Sequence, residues 1–464
     1  MEADTIAAIV TPPGEGGVGI VRTSGPLSTG LPERLFPRLR GAWNSHHMRQ
    51  GTIVDPRDGQ VVDQALACLM CAPRSYTGED VYEIQCHGNP LILERVLDLC
   101  LLQGCRPARP GEFTLRAFLN GRLDLTQAEA VLDVVQARSN AGLDSAMQQL
   151  TGWLSVRVEP LRQHLLGILA HMEAMVDFVE DDVPGQIDGV TVRRLGDVRN
   201  ALEVLMHGAE QGAILRDGAT LAIAGAPNVG KSSLMNALLG LERSIVTPVA
   251  GTTRDTVEET LEVRGIPFRT IDTAGITETD DLVERIGVER SRQSLTGADI
   301  ILLVLDRSRR LQPADELAIQ AVQQAVTGDD EQTHTQRLLV ALNKSDLQEV
   351  PDARAVAMQL APLQVIDTSA IEITGVDALR TGLECAALGN NRQEWVGGNA
   401  RHKHALERAV SSLDAALDGL ESGVPLDLLS LDVREAVQTL GEITGAAVDD
   451  ELLDRIFRDF CIGK

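Results

Sequence analysis

At 464 residues the chain is too long for one core, so about two to four domains are expected. A makeup of 44% hydrophobic and 23% charged residues is that of an ordinary globular protein, while 67 acidic against 42 basic residues leave a net charge of −25. That field repels nucleic acid and anionic membranes, so an RNA partner has to be met by a local basic patch or through another protein.

The opening run MEADTIAAIV has an early acid and no basic segment, unlike a signal peptide, and no apolar run approaches the roughly 20 residues that cross a bilayer. Seven scattered cysteines suit a reducing compartment better than a disulfide framework. No membrane association and a cytoplasmic location are therefore expected. Residues 1–118 mix strand-like runs (Thr5–Val10, Val18–Arg22, Val61–Met70, Val81–Gln85) with Gly/Pro turns and one amphipathic helix near Pro90–Gln103, an α+β pattern. Cys68 and Cys71 have CxxC spacing, but on the strand-like run Gln64 to Cys71 residues three apart face opposite sides, which argues against a metal site.

From about Thr114 to Arg216 the pattern turns helical, with long stretches at Gln127–Gln149 and Val156–Val179 and a polar break at 180–189. Residues 218–385 alternate apolar strands with helices, and the tail returns to helix at His402–Leu420, Asp427–Thr444 and Asp449–Phe460. Helix, then α/β, then helix suggests an α/β unit inserted into a helical domain, because neither tail helix alone can bury its apolar face. His46, His47, His402 and His404 read as solvated surface residues.

The inserted unit carries the chemistry. Leu221–Gly225 is a buried strand, followed by Gly225-Ala-Pro-Asn-Val-Gly-Lys-Ser232 and the apolar helix Ser233–Leu239. This is a phosphate-binding loop in its strand–loop–helix setting: backbone amides including those of Val229 and Gly230 wrap the phosphates, Lys231 reaches the β/γ oxygens, and Ser232 ligates Mg²⁺. Gly251-Thr-Thr-Arg-Asp255 follows in a loop placed to sense the γ-phosphate and complete the Mg²⁺ shell. A hairpin-like pair, Thr256–Arg264 and Pro267–Ile271, leads to Asp272-Thr273-Ala274-Gly275, where Asp272 holds Mg²⁺ through water and the Gly275 amide reads the γ-phosphate. Base identity comes from Asn343-Lys344-Ser345-Asp346: the Asp346 carboxylate accepts from guanine N1–H and its amino group, whereas adenine offers an acceptor at N1. Ser369 and Ala370 add backbone contact to the guanine carbonyl. GTP is the expected substrate. Ile276 stands where Ras-like proteins have the water-positioning Gln, so another group has to orient water, and the acid-rich segment 277–289 holds the candidates.

Only four of the 42 basic residues are lysines: Lys231, Lys344, Lys403 and Lys464. An ammonium point charge is not replaceable by a planar guanidinium where space is tight. Two of the four lie in the nucleotide motifs, a hint that Lys464 also has a task.

These motifs, with Thr11-Pro-Pro-Gly14, Gly16–Ile20, Thr77–Asp80, His87-Gly88, Arg109–Phe113, Leu123–Glu129, Asp281–Gly287 and Phe460-Cys-Ile-Gly-Lys464, make the whole chain resemble the tRNA-modification GTPase family MnmE, also called TrmE. The resemblance implies a multidomain protein: an α+β N-terminal folate-binding and dimerising domain (1–118), an all-α helical domain in two parts (119–216 and 386–464), and a Ras-like α/β P-loop GTPase domain (217–385) inserted into it. It implies that, with the flavoprotein MnmG in a heterotetramer, such a homodimer uses a tetrahydrofolate derivative, formyl- or methylene-tetrahydrofolate, to add an aminomethyl-type group to the wobble uridine of tRNA.

Carried over to this chain, Asn228, Thr247, Val249 and Thr252 hold a K⁺ ion that takes the place of an arginine finger. Thr253 ligates Mg²⁺ beside Ser232, Ser233 joins the nucleotide contacts, and Glu284 positions the attacking water. The folate positions map onto Arg22, Glu83, Arg122 and Lys464, and Cys461 is a candidate for the chemistry. Glu15, Arg122 and Thr277 depart from the usual family residues. Two rival readings are a ribosome-associated GTPase switch, for which a basic RNA-binding domain rather than the acidic helical tail is expected, and a folate-binding aminomethyl carrier whose GTPase is regulatory.

Overall fold

The computed structural model describes residues 4–137, 139–177, 189–240, 259–272, 295–326, 337–389 and 397–464, without the side chains of residues 177, 259, 260 and 272. Two compact units emerge: Met1–Val135, Gln149–Leu202 and Ala405–Lys464 form one, Gln136–Gln148 and Glu203–His404 the other.

The first unit holds a six-stranded sheet in the order β3-β4-β5-β2-β1-β6. Its strands are β1 (Ile6–Ile9), β2 (Gly16–Ser24), β3 (Met48–Val54), β4 (Val61–Met70), β5 (Val81–Gly88) and β6 (Arg106–Pro107). Only β1 and β6 pair in parallel. The helix Pro90–Leu102, capped by the Asn89 side chain, turns Leu93, Val96, Leu99 and Cys100 onto the sheet at helical spacing. There they meet Val21, Ala67, Tyr82 and Ile84. Strand β3 has no counterpart in the alternation read from sequence. Its run MRQGTIV, at the sheet edge, buries no side chain before Ile53 and Val54, and its first five residues are exposed or half-buried with only Met48 strongly apolar, so its pattern is weak.

Helices on either side of the nucleotide-type segment share this first unit. Leu426–Thr444 packs along Trp153–Asp177, with Arg434 bonded to Glu173 at 2.5 Å. Arg199 pairs with Asp414 at 2.8 Å. The helix Asp450–Arg458, capped by Asp449, feeds Phe457 and Phe460 into a cluster with Leu125, Ala128 and Leu132. Such sharing is what an inserted α/β unit requires.

The second unit contains a doubly wound sheet in the order β12-β11-β10-β7-β9-β8. The strands are β7 (Ala219–Ala224), β8 (Glu259–Val263), β9 (Ile266–Asp272), β10 (Ile300–Asp306), β11 (Leu338–Asn343) and β12 (Gln364–Asp367). All pair in parallel except the β8–β9 hairpin, whose Arg264–Gly265 turn has both residues at positive φ (52° and 84°), the hand that suits twisted strands. Strands β10 and β11 are buried along their whole length because apolar clusters cover both faces.

Two local expectations are corrected. The single helix expected over Gln127–Gln149 is two, Leu125–Gln136 and Asn140–Leu150. The second starts anew because Ser139 caps it, its hydroxyl accepting from the Gly142 amide at 3.0 Å. His402 is fully buried, not solvated. It lies on the same stripe of the helix Ala400–Glu421 as Leu406, Ala409 and Leu413, and its amide donates to the Asn399 carboxamide at 3.0 Å.

Cys68 ends up half-buried on β4, and burial together with Glu83 raises its pKa; among the described residues no cluster of three or more His, Cys, Asp or Glu could hold a metal. No helix of the described residues is long and apolar enough to cross a membrane.

Candidate active site

The chain leaves β7 at Ala224 and turns through Gly225, at φ 148°, where a Cβ would strike the Val304 carbonyl. Asn228 (φ 63°) and Gly230 (φ 101°) also adopt left-handed backbone, and a Cβ at Gly230 would run into the Asn343 amide. The loop then enters the helix Lys231–Leu239, anchored by buried Leu234 and Leu238. Within it Val229 is buried, while Asn228, Ser232 and Ser233 face outward. Lys231 Nζ donates to the carbonyls of Gly225 (2.6 Å) and Ala226 (3.0 Å), folding its ammonium over the loop. A concave run of amides, a helix N-terminus and a fixed cation together form an anion cradle.

Strands β10, β11 and β12 end side by side, bringing Asp306 level with Asn343 and Leu342 level with Asp367. In open α/β sheets this carboxyl edge is where ligands bind. Asn343 is 2% exposed, and its Nδ2 donates to the Val229 carbonyl at 2.8 Å, joining the phosphate-type loop to the base-type motif. Thr368 Oγ1 donates to Asn343 Oδ1 at 3.4 Å. Asp346 is exposed at the edge, and one of its oxygens accepts from Ser369 Oγ at 2.6 Å. That bond leaves the other oxygen for a ligand and aims the carboxylate. The half-buried Ala370 follows in the same loop, closed by a bridge between Ser369 and Thr374.

Sequence reasoning missed Asp306. It ends β10, is 3% exposed, and accepts from Lys344 Nζ at 2.6 Å. Burial pushes the Asp306 carboxyl up, but Lys344 and Ser308 outweigh it and hold the group below its ordinary value. The signal was the acid at the end of the otherwise apolar run Ile300–Asp306.

Other expected positions fall elsewhere. Asp272 closes β9 in register with Ile223, but its side chain lies outside the described residues. So do Thr247, Val249, Thr252, Thr253, Thr273, Ala274, Gly275, Ile276 and Glu284.

A separate cluster forms in the first unit. Arg22 on β2 stands opposite Glu83 on β5, and Arg22 Nε donates to Glu83 Oε1 at 2.7 Å. The Arg22 guanidinium lies 5.3 Å from the Tyr76 ring centroid and 5.7 Å from that of Phe113. Lys464 reaches the same place because the tail docks on the sheet domain. The Phe113 amide donates to the Lys464 carbonyl at 3.2 Å and the Gly111 amide to that of Cys461 at 3.4 Å, while Gly463 (φ 98°) passes where a Cβ would come within 2.6 Å of the Ile9 carbonyl. Burial pushes the Lys464 ammonium below its ordinary pKa; Cys461 opposes that and Arg22 adds to it. Arg122 is exposed and donates from Nε to the Ser75 carbonyl at 3.2 Å, one residue from Tyr76. Cys461 is exposed in the same tail.

The chain matches the model of the MnmE helical domain over residues 125–461 and that of the GTP-binding protein TrmE N-terminus over residues 5–122. A tRNA modification GTPase MnmE of Chloroflexus aurantiacus is 46% identical over 99% of this chain and 100% of its own length. The chain belongs to the tRNA modification GTPase MnmE family. Within that family, the protein of Lacticaseibacillus paracasei is 43% identical over 99% of this chain and 98% of its own length. A solved Aquifex aeolicus Era, bound to GDP and AlF4⁻, is 28% identical over 38% of this chain and 58% of that one, with a TM-score of 0.28. An N-terminal α+β domain, a helical domain and an inserted GTPase domain are the architecture of this family member, and GTP hydrolysis in tRNA modification is its activity.

Proposed function

We propose that the chain is a K⁺-activated GTPase that, as a cytoplasmic homodimer assembled with an MnmG-type flavoprotein, drives folate-dependent modification of the wobble uridine of tRNA. The observation that carries this reading is the docking of the C-terminal tail beside Phe113, which puts Lys464 near enough to feel the charge of Arg22, itself paired with Glu83. The donor set suits a reduced folate. A carboxylate matches the amino-pyrimidine edge of a pterin, the half-buried Tyr76 supplies a ring, and cations meet a glutamate tail. The folate supplies the one-carbon unit when bound. Arg22, Glu83 and Lys464 hold and orient it, Arg122 extends the cationic side, and Cys461 stands exposed beside them.

In the second unit, the amides of Val229 and Gly230 with Lys231 take the phosphates, Ser232 takes Mg²⁺, and Ser233 lines the helix entrance. Asn228, at the outer rim of the loop, has a carboxamide oxygen suited to K⁺. Thr247, Val249 and Thr252 would complete that ion's shell, Thr253 and Asp272 that of Mg²⁺, and Glu284 would orient the water that Ile276 cannot. Asn343, Asp346, Ser369 and Ala370 read guanine, steadied by Lys344 on Asp306. The domain division at 118, 216 and 385 belongs to the same proposal.

Equilibrium dialysis of the full chain against 5-formyl-tetrahydrofolate tests the folate role, with binding expected and lost in Lys464→Ala. A chain that binds GTP but no reduced folate would leave only a GTPase switch. Nucleoside analysis of tRNA from a strain lacking the protein tests the rest, with the wobble-uridine modification expected to vanish.

A further inference from the structure

We propose that Arg307, Glu349, Arg354 and Asp367 form a closed clamp of alternating charges whose task is to hold the guanine-reading loops in register. The inference rests on the guanine-reading role proposed for Asn343, Asp346 and Ser369. Arg307 follows Asp306 at the end of β10, and its side chain donates to Asp367 at 2.6 Å and Glu349 at 3.0 Å. Arg354, in the helix Pro351–Gln359, closes the ring on the same two acids, at 2.6 Å to each. Its Nη2 reaches both Asp367 oxygens, at 2.6 and 2.8 Å. Burial pushes the Asp367 carboxyl up, but Arg354 and Arg307 outweigh it and hold it below its ordinary value. Arg354 is raised in turn by Asp367 and Glu349.

Each member belongs to a different segment of the base-reading edge. Asp367 precedes Thr368, Ser369 and Ala370. Glu349 ends the loop that carries Lys344 and Asp346. Main-chain bonds extend the clamp: the Arg307 amide donates to the Asn343 carbonyl at 3.2 Å, and the Val350 amide donates to the Arg307 carbonyl at 2.8 Å. The Ser369 hydroxyl that aims Asp346 is thus two residues from the clamped Asp367.

Arg307 is 15% exposed and the other three side chains are between 32% and 42% exposed. Such part-solvated pairs add little to global stability. What the ring does is remove freedom between two loops, and a planar guanidinium that grips two acids through two of its nitrogens fixes geometry in a way an ammonium cannot. Arg307 and Arg354 are therefore positioning residues. They touch no substrate and act through Asp367 and Glu349 on Asp346.

Guanine and hypoxanthine differ only in the exocyclic amino group that the Asp346 carboxylate accepts from, so the ratio of GDP to IDP affinity reads its placement. The full chain is titrated with both nucleotides by competition against a fluorescent GDP, and each variant is melted in parallel. In Arg354→Ala and in the near-isosteric Asp367→Asn, the GDP Kd is expected to rise about tenfold and the IDP Kd less than about threefold, with melting temperatures within about 2 °C of the parent. Arg354→Lys, which keeps charge without the two-pronged grip, is expected to fail as a rescue, and it serves if Arg354→Ala does not fold. Equal weakening of both nucleotides, no weakening, or a loss that tracks a lowered melting temperature would each overturn the clamp. A parent chain that binds GDP and IDP alike would overturn the guanine reading itself, before any variant is compared.

Discussion

The Asn343 carboxamide donates to the Val229 carbonyl at 2.8 Å, so the base-reading motif and the phosphate loop are held by one buried hydrogen bond. Removing Asn343 orphans a buried carbonyl, which costs about 2 kcal/mol, or roughly thirtyfold in affinity. Asn343→Ala is expected to raise the GDP Kd by that factor, with GTP weakened alike, as measured by fluorescent-nucleotide titration. Retained affinity would show that the two loops do not depend on each other.

Asn228 sits at φ 63°, a backbone conformation asparagine adopts more readily than most residues, with its side chain at the loop's outer edge. GTP hydrolysis by the parent is expected to be much faster in K⁺ than in Na⁺, and Asn228→Ala is expected to abolish the difference. Equal parent rates in the two salts would refute the K⁺ role.

Glu112 is 3% exposed and is bonded by Arg106, the Arg109 amide and Arg116. Burial pushes its carboxyl up, but these partners outweigh it and hold it below its ordinary 4.5. The unfolded chain therefore binds this proton first. The stabilisation is complete above about pH 4.5 and is lost as pH falls through the lowered folded value. Glu112→Gln is expected to cost about 2 kcal/mol near neutral pH, and its melting curve should converge on the parent's as pH falls through that lowered value. A gap that stays constant with pH would contradict the ionised state assigned to Glu112.

Lys464 has a lowered pKa because burial and Arg22 disfavour its charge. A cation that meets a carboxylate has to be protonated, so affinity for a reduced folate is expected to fall as pH rises through that lowered value, ahead of ordinary lysine titration at 10.5. Lys464→Arg is expected to shift this loss to higher pH. Dialysis from neutral pH up to the ordinary lysine value of 10.5 measures it, and a flat profile over that whole range would remove Lys464 from the site.

Ile373 is β-branched, 53% exposed and held at φ 57°, a costly backbone conformation for such a side chain. Ile373→Gly removes the strain while giving up little burial, so a gain of about 1 kcal/mol is expected, seen as a rise of roughly 2–4 °C in the melting temperature. A lower melting temperature would mean that Ile373 makes packing contacts that outweigh its strain.

The sequence by itself determined the nucleotide machinery in outline. Gly225 to Ser232 and Asn343 to Asp346 are contiguous motifs whose spacing carries their chemistry, and the strands around them are unbroken apolar runs. It also determined that the α/β unit is inserted, because the flanking helices lack partners of their own. Only the tertiary structure decided which distant residues meet. The tail docking that brings Lys464 to Arg22, the Lys344–Asp306 pair and the ring through Arg307 and Asp367 all join segments that no local period connects. His402 and the start of a new helix after Ser139 were misread for a related reason: a buried polar residue and a cap are defined by their partners. Periodicity reports which face a side chain takes, whereas a long-range ion pair exists only once chain reversals have brought its two ends together.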